Sequence, residues 1–177
     1  MKFSATVTLQ YDTIFSSFSH EDYLKGLDWM QQSRLDGAEL CISSYSDIDL
    51  GKVKAELDER GLGCSTLSTG QARGLEGLSL IGVPADITKK TQERFMDAAK
   101  ILGSKVTIGL MRGLGSLETM DKDLGDLSEA MKPLISYADQ KGVTLCLEAI
   151  NRYETALLNS AEATMDFIVN DLGNPDC

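Results

Sequence analysis

The sequence predicts an α/β protein of parallel strands joined by crossover helices, and three observations carry that prediction. Short apolar and β-branched runs alternate five times with segments of helical periodicity, at roughly 30 residues per repeat. Glycines such as Gly61, Gly103 and Gly173 stand where helical segments run out. No low-complexity stretch or compositional shift divides the 177 residues, so residues 1–177 read as a single domain.

The elements follow in order. "SATVTLQY" mixes β-branched residues with near-alternating polarity and reads as a first strand. "SHEDYLKGLDWMQQSRL" is a first helix, with Ser19 as N-cap, Glu21 and Asp22 in its first turn, and Tyr23, Leu24, Leu27, Met30 and Leu35 on one face. "GAELCIS" is a second strand and "DLGKVKAELDERG" a second helix. "GCSTLST" is a third strand, and the glycine-rich "GQARGLEGLSLIGVPADI" reads as a long connection. "TKKTQERFMDAAKILG" is a third helix and "KVTIGLM" a fourth strand. "DKDLGDLSEAMKPLISYADQKG" is a fourth helix, in which Pro133 predicts a kink or a break. "VTLCLEAI" is a fifth strand, and "SAEATMDFIVNDLG" a fifth helix with Ser160 as N-cap.

Strict βα alternation leaves two architectures, a doubly wound open sheet and a (β/α)8 barrel. No G-x-G-x-x-G turn follows the first strand, which removes the main support for dinucleotide binding. A barrel needs eight units and typically about 250 residues. Five units are present, so the chain is either a complete five-stranded open domain or a barrel cut short.

The bulk properties narrow the partners. A 42% hydrophobic content supports a real core, and 25% charged residues is ordinary for a soluble protein. The net charge of −10 argues against nucleic acid and anionic membranes. The start "MKFSATVTLQYD" has no leader pattern and no run approaches a membrane span, so a cytoplasmic location is expected. Cys41, Cys64, Cys146 and Cys177 form no C-x-x-C pair and read as free thiols of a reducing compartment.

In both architectures ligands bind at the C-terminal ends of the strands. The residues there are Tyr11 and Asp12; Glu39 within strand two, with Ser43 and Ser44 behind it; Ser68, Thr69, Gly70 and Gln71; Met111, Arg112 and Gly113; and Glu148, Asn151, Arg152, Tyr153 and Glu154. Glu148 shares its side of the fifth strand with Thr144 and Cys146, opposite Val143, Leu145 and Leu147. A carboxylate on a barrel interior has to be paired, hydrogen-bonded or metal-bound. It is therefore either a functional group or the ion-pair partner of Arg152. Glu154 is either functional or a solvated loop charge. His20 is the only histidine, which rules out a zinc site built on several His within the chain. The sequence contains no G-x-S-x-G and no P-loop, and "RGLGS" after strand four reads as a plain loop.

"LEAINRYET" resembles the L-E-x-x-N-R-[YF]-E element of the ketose 3-epimerase branch of the xylose-isomerase-like sugar isomerase/epimerase superfamily, whose members are metal-dependent TIM barrels. "STGQARGLEGLSL" and "AAKILGSKVTIGLMRG" are similar to third- and fourth-strand segments of the same superfamily. The resemblance implies that Glu148 ligates a divalent metal (Mn²⁺, Mg²⁺ or Co²⁺) and acts as an acid/base. It implies that Glu154 bonds substrate hydroxyls, with Asn151 and Arg152 on the substrate side. The other metal ligands of the family come from its last three strands. The implied fold is thus a TIM barrel truncated after about five βα units. The implied function is metal-dependent isomerisation or epimerisation of a sugar or sugar phosphate through an enediolate. This chain alone is expected to be incomplete and inactive, with a small sugar as partner, no nucleic acid, no membrane, and homo-oligomers admitted. The alternatives are a non-catalytic sugar-binding or assembly module, or a dehydratase of the same superfamily.

Overall fold

Alternating apolar residues place five strands: β1 (Ser4–Thr8), β2 (Gly37–Cys41), β3 (Gly63–Ser68), β4 (Lys105–Ile108) and β5 (Leu145–Leu147). The computed structural model describes residues 1–43, 47–84 and 86–173. All four strand pairings are parallel, in the order β1-β2-β3-β4-β5. That order decides between the two architectures. A doubly wound sheet reverses its strand order at a switch point. Here each right-handed crossover steps the same way, which keeps the helices on one face. The sheet is that of a partial TIM barrel.

The helices are α1 (Tyr23–Gln32), α2 (Leu50–Glu59), α3 (Gly70–Glu76), α4 (Asp86–Thr91), α5 (Asp97–Leu102), α6 (Met120–Lys141) and α7 (Ala161–Asn170). They bury one side of the sheet. Val7, Leu40, Leu67, Val106, Ile108 and Leu145, all 3% exposed or less, meet Leu27, Met30, Leu57, Phe95, Leu127, Met131 and Phe167 in one continuous core. The opposite face is polar. Thr6 pairs with Glu39, Glu39 with Thr66, Ser68 with Thr107, and Thr107 with Cys146 in the register. The Thr66 and Thr107 hydroxyls are hydrogen-bonded across this face at 2.8 Å.

A bulge sits between β2 and β3. Ala38 faces Cys64, yet Glu39 faces Thr66, so Ser65 is an extra residue. Its hydroxyl bonds the Ala38 carbonyl at 3.2 Å. The bulge lets Cys64 and Leu67, three residues apart, both join the core.

The structure departs from the sequence expectations in five places. The segment expected as a connection holds α3, because Gln71, Ala72, Arg73, Leu75 and Glu76 are helix formers between two glycines. Gly77, at φ +66, ends it by donating its N–H to Ala72 and Arg73 carbonyls. The expected third helix contains a π-helical turn at Gln92–Met96, which packs Phe95 and Met96 fully into the core. α6 runs through Pro133 without a break, anchored by the fully buried Met131 and Leu134 on either side. β5 is only three residues long, although the Glu148 N–H still reaches the Ile108 carbonyl at 3.2 Å. At the helix starts, Ser160 caps α7 through the Ala163 N–H, whereas Ser19 makes no side-chain cap bond.

Cys41 and Cys64 are buried free thiols and Cys146 is a part-buried one; Cys177 lies outside the described residues. Burial, ahead of the nearby Glu39 carboxylate, pushes the Cys41 thiol up to about 11. Burial pushes Cys64 to about 11 as well. Among the described residues no helix is long and apolar enough to cross a membrane.

Two outcomes follow from this packing. A Cβ on Gly37 would stand 2.4 Å from the Gly63 carbonyl oxygen, a backbone atom that cannot swing away. Gly37→Ala should therefore lose about 3 kcal/mol, read as a lower denaturation midpoint at unchanged slope. Cys41 and Cys64 should resist an aromatic disulfide reagent at pH 7.5 in the native chain and react once it is denatured, because the thiolate is the reactive form. Native rates matching the denatured ones at both positions would show that this core is open.

Candidate functional site

The site is built by what β5 becomes when it leaves the sheet. Leu145 and Leu147 pack toward the helices, so Cys146 and Glu148 stand on the polar face. Glu148 then opens onto a cavity of about 370 Å³ at the C-terminal side of the strands, with Thr6, Glu39, Cys41, Ser68, Thr69, Thr107, Gly109, Asn151 and Glu154 among its lining. This volume lies in the range of small-molecule sites. A second cleft of about 480 Å³ lies at the opposite strand ends, around Lys2, Asp36, Lys54 and Gly63. In parallel α/β folds the functional end is the C-terminal one, and the first cavity is at that end.

Gly109 makes room for Glu148. A Cβ there would lie 2.7 Å from Glu148 Oε2, so only glycine leaves the carboxylate where it stands. The turn after Glu148 is closed by its own polar groups. Asn151 Oδ1 accepts the Tyr153 N–H at 2.9 Å, and the Asn151 amide donates to Glu154 Oε1. Asn159 closes the loop from the far side, donating to the Ile150 and Thr155 carbonyls at 2.8 and 2.9 Å. Thr155 and Ala156 tie it to the β4 exit through the Leu114 carbonyl at 3.0 and 2.8 Å.

Two further charges bear on the cavity. Burial raises Glu39 from its ordinary value, the Glu148 charge adds to this, and a 3.5 Å bond from the Thr6 hydroxyl opposes it. Arg112 is fully buried just after β4. Its desolvation brings it down to about 10, against the opposing pull of Glu148, so it stays protonated at neutral pH. Its Nε donates to the Gly109 carbonyl at 3.1 Å, and its Nη1 makes a long 3.5 Å contact to the Leu157 carbonyl.

Of the residues singled out from sequence, Glu148, Asn151 and Glu154 line one cavity. Arg152 is exposed and is not among the lining residues. Among the described residues no ion pair joins Arg152 to Glu148; the guanidinium that feels Glu148 is Arg112. Glu148 is itself exposed, on the polar sheet face that the helices leave uncovered. His20 is not among the lining residues; its Nδ1 and backbone N–H both meet Asp12 Oδ1 at 2.9 Å, and these hydrogen bonds hold Asp12 below its ordinary value. Sequence reasoning gave no role to Glu39, Gly109 or Arg112. The signal for Glu39 was its alternation with Ala38 and Leu40, which places a carboxylate on the polar face.

Among the described residues no group of three His, Cys, Asp or Glu side chains is gathered that would hold a metal ion. A hard divalent cation takes about six oxygen ligands, so these residues alone do not fit one. The arrangement can do two things chemically. A carboxylate over a cavity can exchange a proton with a bound molecule, and the surrounding hydroxyls, amide and second carboxylate can hold a polyhydroxylated one.

The family described as "Xylose isomerase-like TIM barrel" matches residues 25–176. The chain is 31% identical over 134 residues to the D-psicose 3-epimerase of Ruminiclostridium cellulolyticum, an alignment spanning 70% of this chain and 44% of that protein. Among solved structures, a D-psicose 3-epimerase with D-tagatose from Clostridium cellulolyticum H10 superposes with a TM-score of 0.72 at 18% identity, covering 99% of this chain and 61% of that one. A 3-keto-D-glucoside 4-epimerase from E. coli superposes at 0.70 and 19% identity, covering 97% and 64%. The chain thus spans less than half the length of the curated relative and less than two thirds of these structures. Singly wound strand order, a polar inner face and the matched family description agree: the chain belongs to the xylose isomerase-like TIM barrel family.

Proposed function

We propose that this chain contributes one wall of the active site of a sugar isomerase or epimerase, with Glu148 as acid/base. The observation that carries the reading is the convergence of Glu148, Asn151 and Glu154 on one cavity at the C-terminal side of the strands. Moving a proton next to a carbonyl needs a base within hydrogen-bond reach of the C–H bond. Glu148 faces the cavity beside the bare Cα of Gly109, accessible to a bound molecule. Glu154, oriented by the Asn151 amide, is the acceptor for a sugar hydroxyl. Thr6, Ser68, Thr69 and Thr107 offer further hydroxyls along the wall. Arg152, exposed behind this turn, has at most a role on the substrate side.

The wall carries Glu39, Glu148 and Glu154 and, among the described lining residues, no Lys or Arg. Its charge favours a neutral polyol over a phosphorylated group at this face. The relatives carry "epimerase" in their names, which supports the reaction class. We further propose that divalent-metal dependence, with Mn²⁺, Mg²⁺ or Co²⁺, belongs to the complete barrel. Glu148 would be one ligand, and the others would come from residues beyond these 177; no step here is derived through the cation. The 177 residues alone would then be inactive. A second reading, a sugar-binding wall without turnover, rests on the hydroxyls and the amide that line the same cavity.

Titration calorimetry with Mn²⁺ should find no micromolar stoichiometric site on the 177-residue chain, and such a site abolished by Glu148→Gln would refute the ligand count. In a complete barrel carrying this portion, Glu148→Gln should abolish deuterium uptake from solvent at the carbon next to the carbonyl, tested on free and phosphorylated ketoses. Glu154→Ala should weaken turnover or binding about 10- to 100-fold, the loss of one substrate hydrogen bond. Near-normal exchange in Glu148→Gln would sink the acid/base assignment, and sugar binding with no exchange in the unsubstituted barrel would favour the binding-wall reading.

A further inference from the structure

We propose that Arg112 is a positioning residue of this site, clamping the Gly109 peptide and the β5 exit loop so that Glu148 is set over the cavity. The proposal rests on the reading of Glu148 given above.

Arg112 is among the largest fully buried side chains of the protein, and no ion pair to it is formed among the described residues. Burying a guanidinium is costly unless its donors and charge are answered. Here the answers converge on the site. Both its backbone N–H and its Nε donate to the carbonyl of Gly109, each at 3.1 Å. Gly109 is the residue whose missing Cβ makes the space occupied by Glu148 Oε2. The Gly109 carbonyl is therefore bound by Arg112, while its Cα lies against the Glu148 carboxylate. The Nη1 contact to the Leu157 carbonyl reaches the loop that carries Asn151 and Glu154. Nη2 is buried with no hydrogen-bond partner. A buried guanidinium nitrogen without a partner calls for an explanation, and the carboxylate whose charge bears on this guanidinium is Glu148.

Lysine would keep the charge but not the fork that reaches two carbonyls at once. Gly109 and Arg112 would thus act as one unit, the glycine giving space and the arginine giving position.

The test is side-chain nitrogen NMR on the 177-residue chain, following the Arg112 Nε–H signal, assigned by its loss in Arg112→Lys. Complete burial should make this signal slow to exchange. It should move in Glu148→Gln, an exposed substitution that leaves the core intact, and in Gly109→Ala. Glu76→Gln, which removes the partner of Arg94 elsewhere in the fold, should leave it in place. In a complete barrel, Arg112→Lys should lower turnover about 10- to 100-fold with KM changed by no more than about threefold, the signature of a misplaced reacting group. An Arg112 signal unmoved in both Glu148→Gln and Gly109→Ala overturns the proposal, whatever the sugar assays give. A signal that responds, together with normal sugar exchange in Glu148→Gln, supports the clamp and rejects the catalytic role of Glu148 instead.

Discussion

The two-residue period of a β-strand is the constraint on which this structure depends. Leu145 and Leu147 are needed against the helices, so Cys146 and Glu148 must point the other way. The same rule sends Thr6, Glu39, Thr66, Ser68 and Thr107 to the face the helices do not cover. Because the strands are ordered in sequence without reversal, all these polar positions fall on one side. A doubly wound sheet would have covered both faces with helices and left no such surface. The hydrophobic core and the polar cavity are therefore two readings of the same alternation, and neither can be altered without the other.

Position within that face depends on what stands behind it. The exits of β4 and β5 are cross-linked by Thr155 and Ala156 on the Leu114 carbonyl and by Arg112 on the Gly109 carbonyl. The loop between Glu148 and Ser160 has no regular secondary structure, yet most of its turns are closed by side chains within itself: Asn151, Thr155 and Asn159. An irregular segment held this way can carry Glu154 at a fixed distance from the sheet. That is how a fold built from rigid layers presents functional groups on a loop.

Much of this was legible in the sequence, for reasons that particular residues make plain. The strands announced themselves through β-branched runs, and the helix stops through Gly61, Gly103 and Gly173, all of which adopt positive φ. Glu148, Asn151 and Glu154 were visible because a strand that ends in a polar cluster is unusual. What was hidden was tertiary. α3 was hidden by its flanking glycines, and the π-helical turn because an extra residue in a helix leaves the hydrophobic pattern nearly intact. Arg112 read as a loop residue, since nothing local says that a guanidinium will be fully buried. The pairing of Glu148 with Arg152 was suggested by proximity along the chain, but the guanidinium whose charge reaches Glu148 lies 36 residues earlier, on the neighbouring strand exit.

The bulge at Ser65 gives β3 a property that the other strands lack. Cys64 below it and Leu67 above it both face the helices, while Thr66 and Ser68 stand on the polar face, Ser68 at the cavity. Removing Ser65 would join Cys64 directly to Thr66 and leave an unbroken alternation, with Leu67 still toward the helices and Ser68 still on the polar face. Removing a second residue with it would flip every later position, carrying Leu67 to the wet side and Ser68 into the core. The residue count of this strand can therefore change by one at the bulge, and only there, while the same side chains keep their faces.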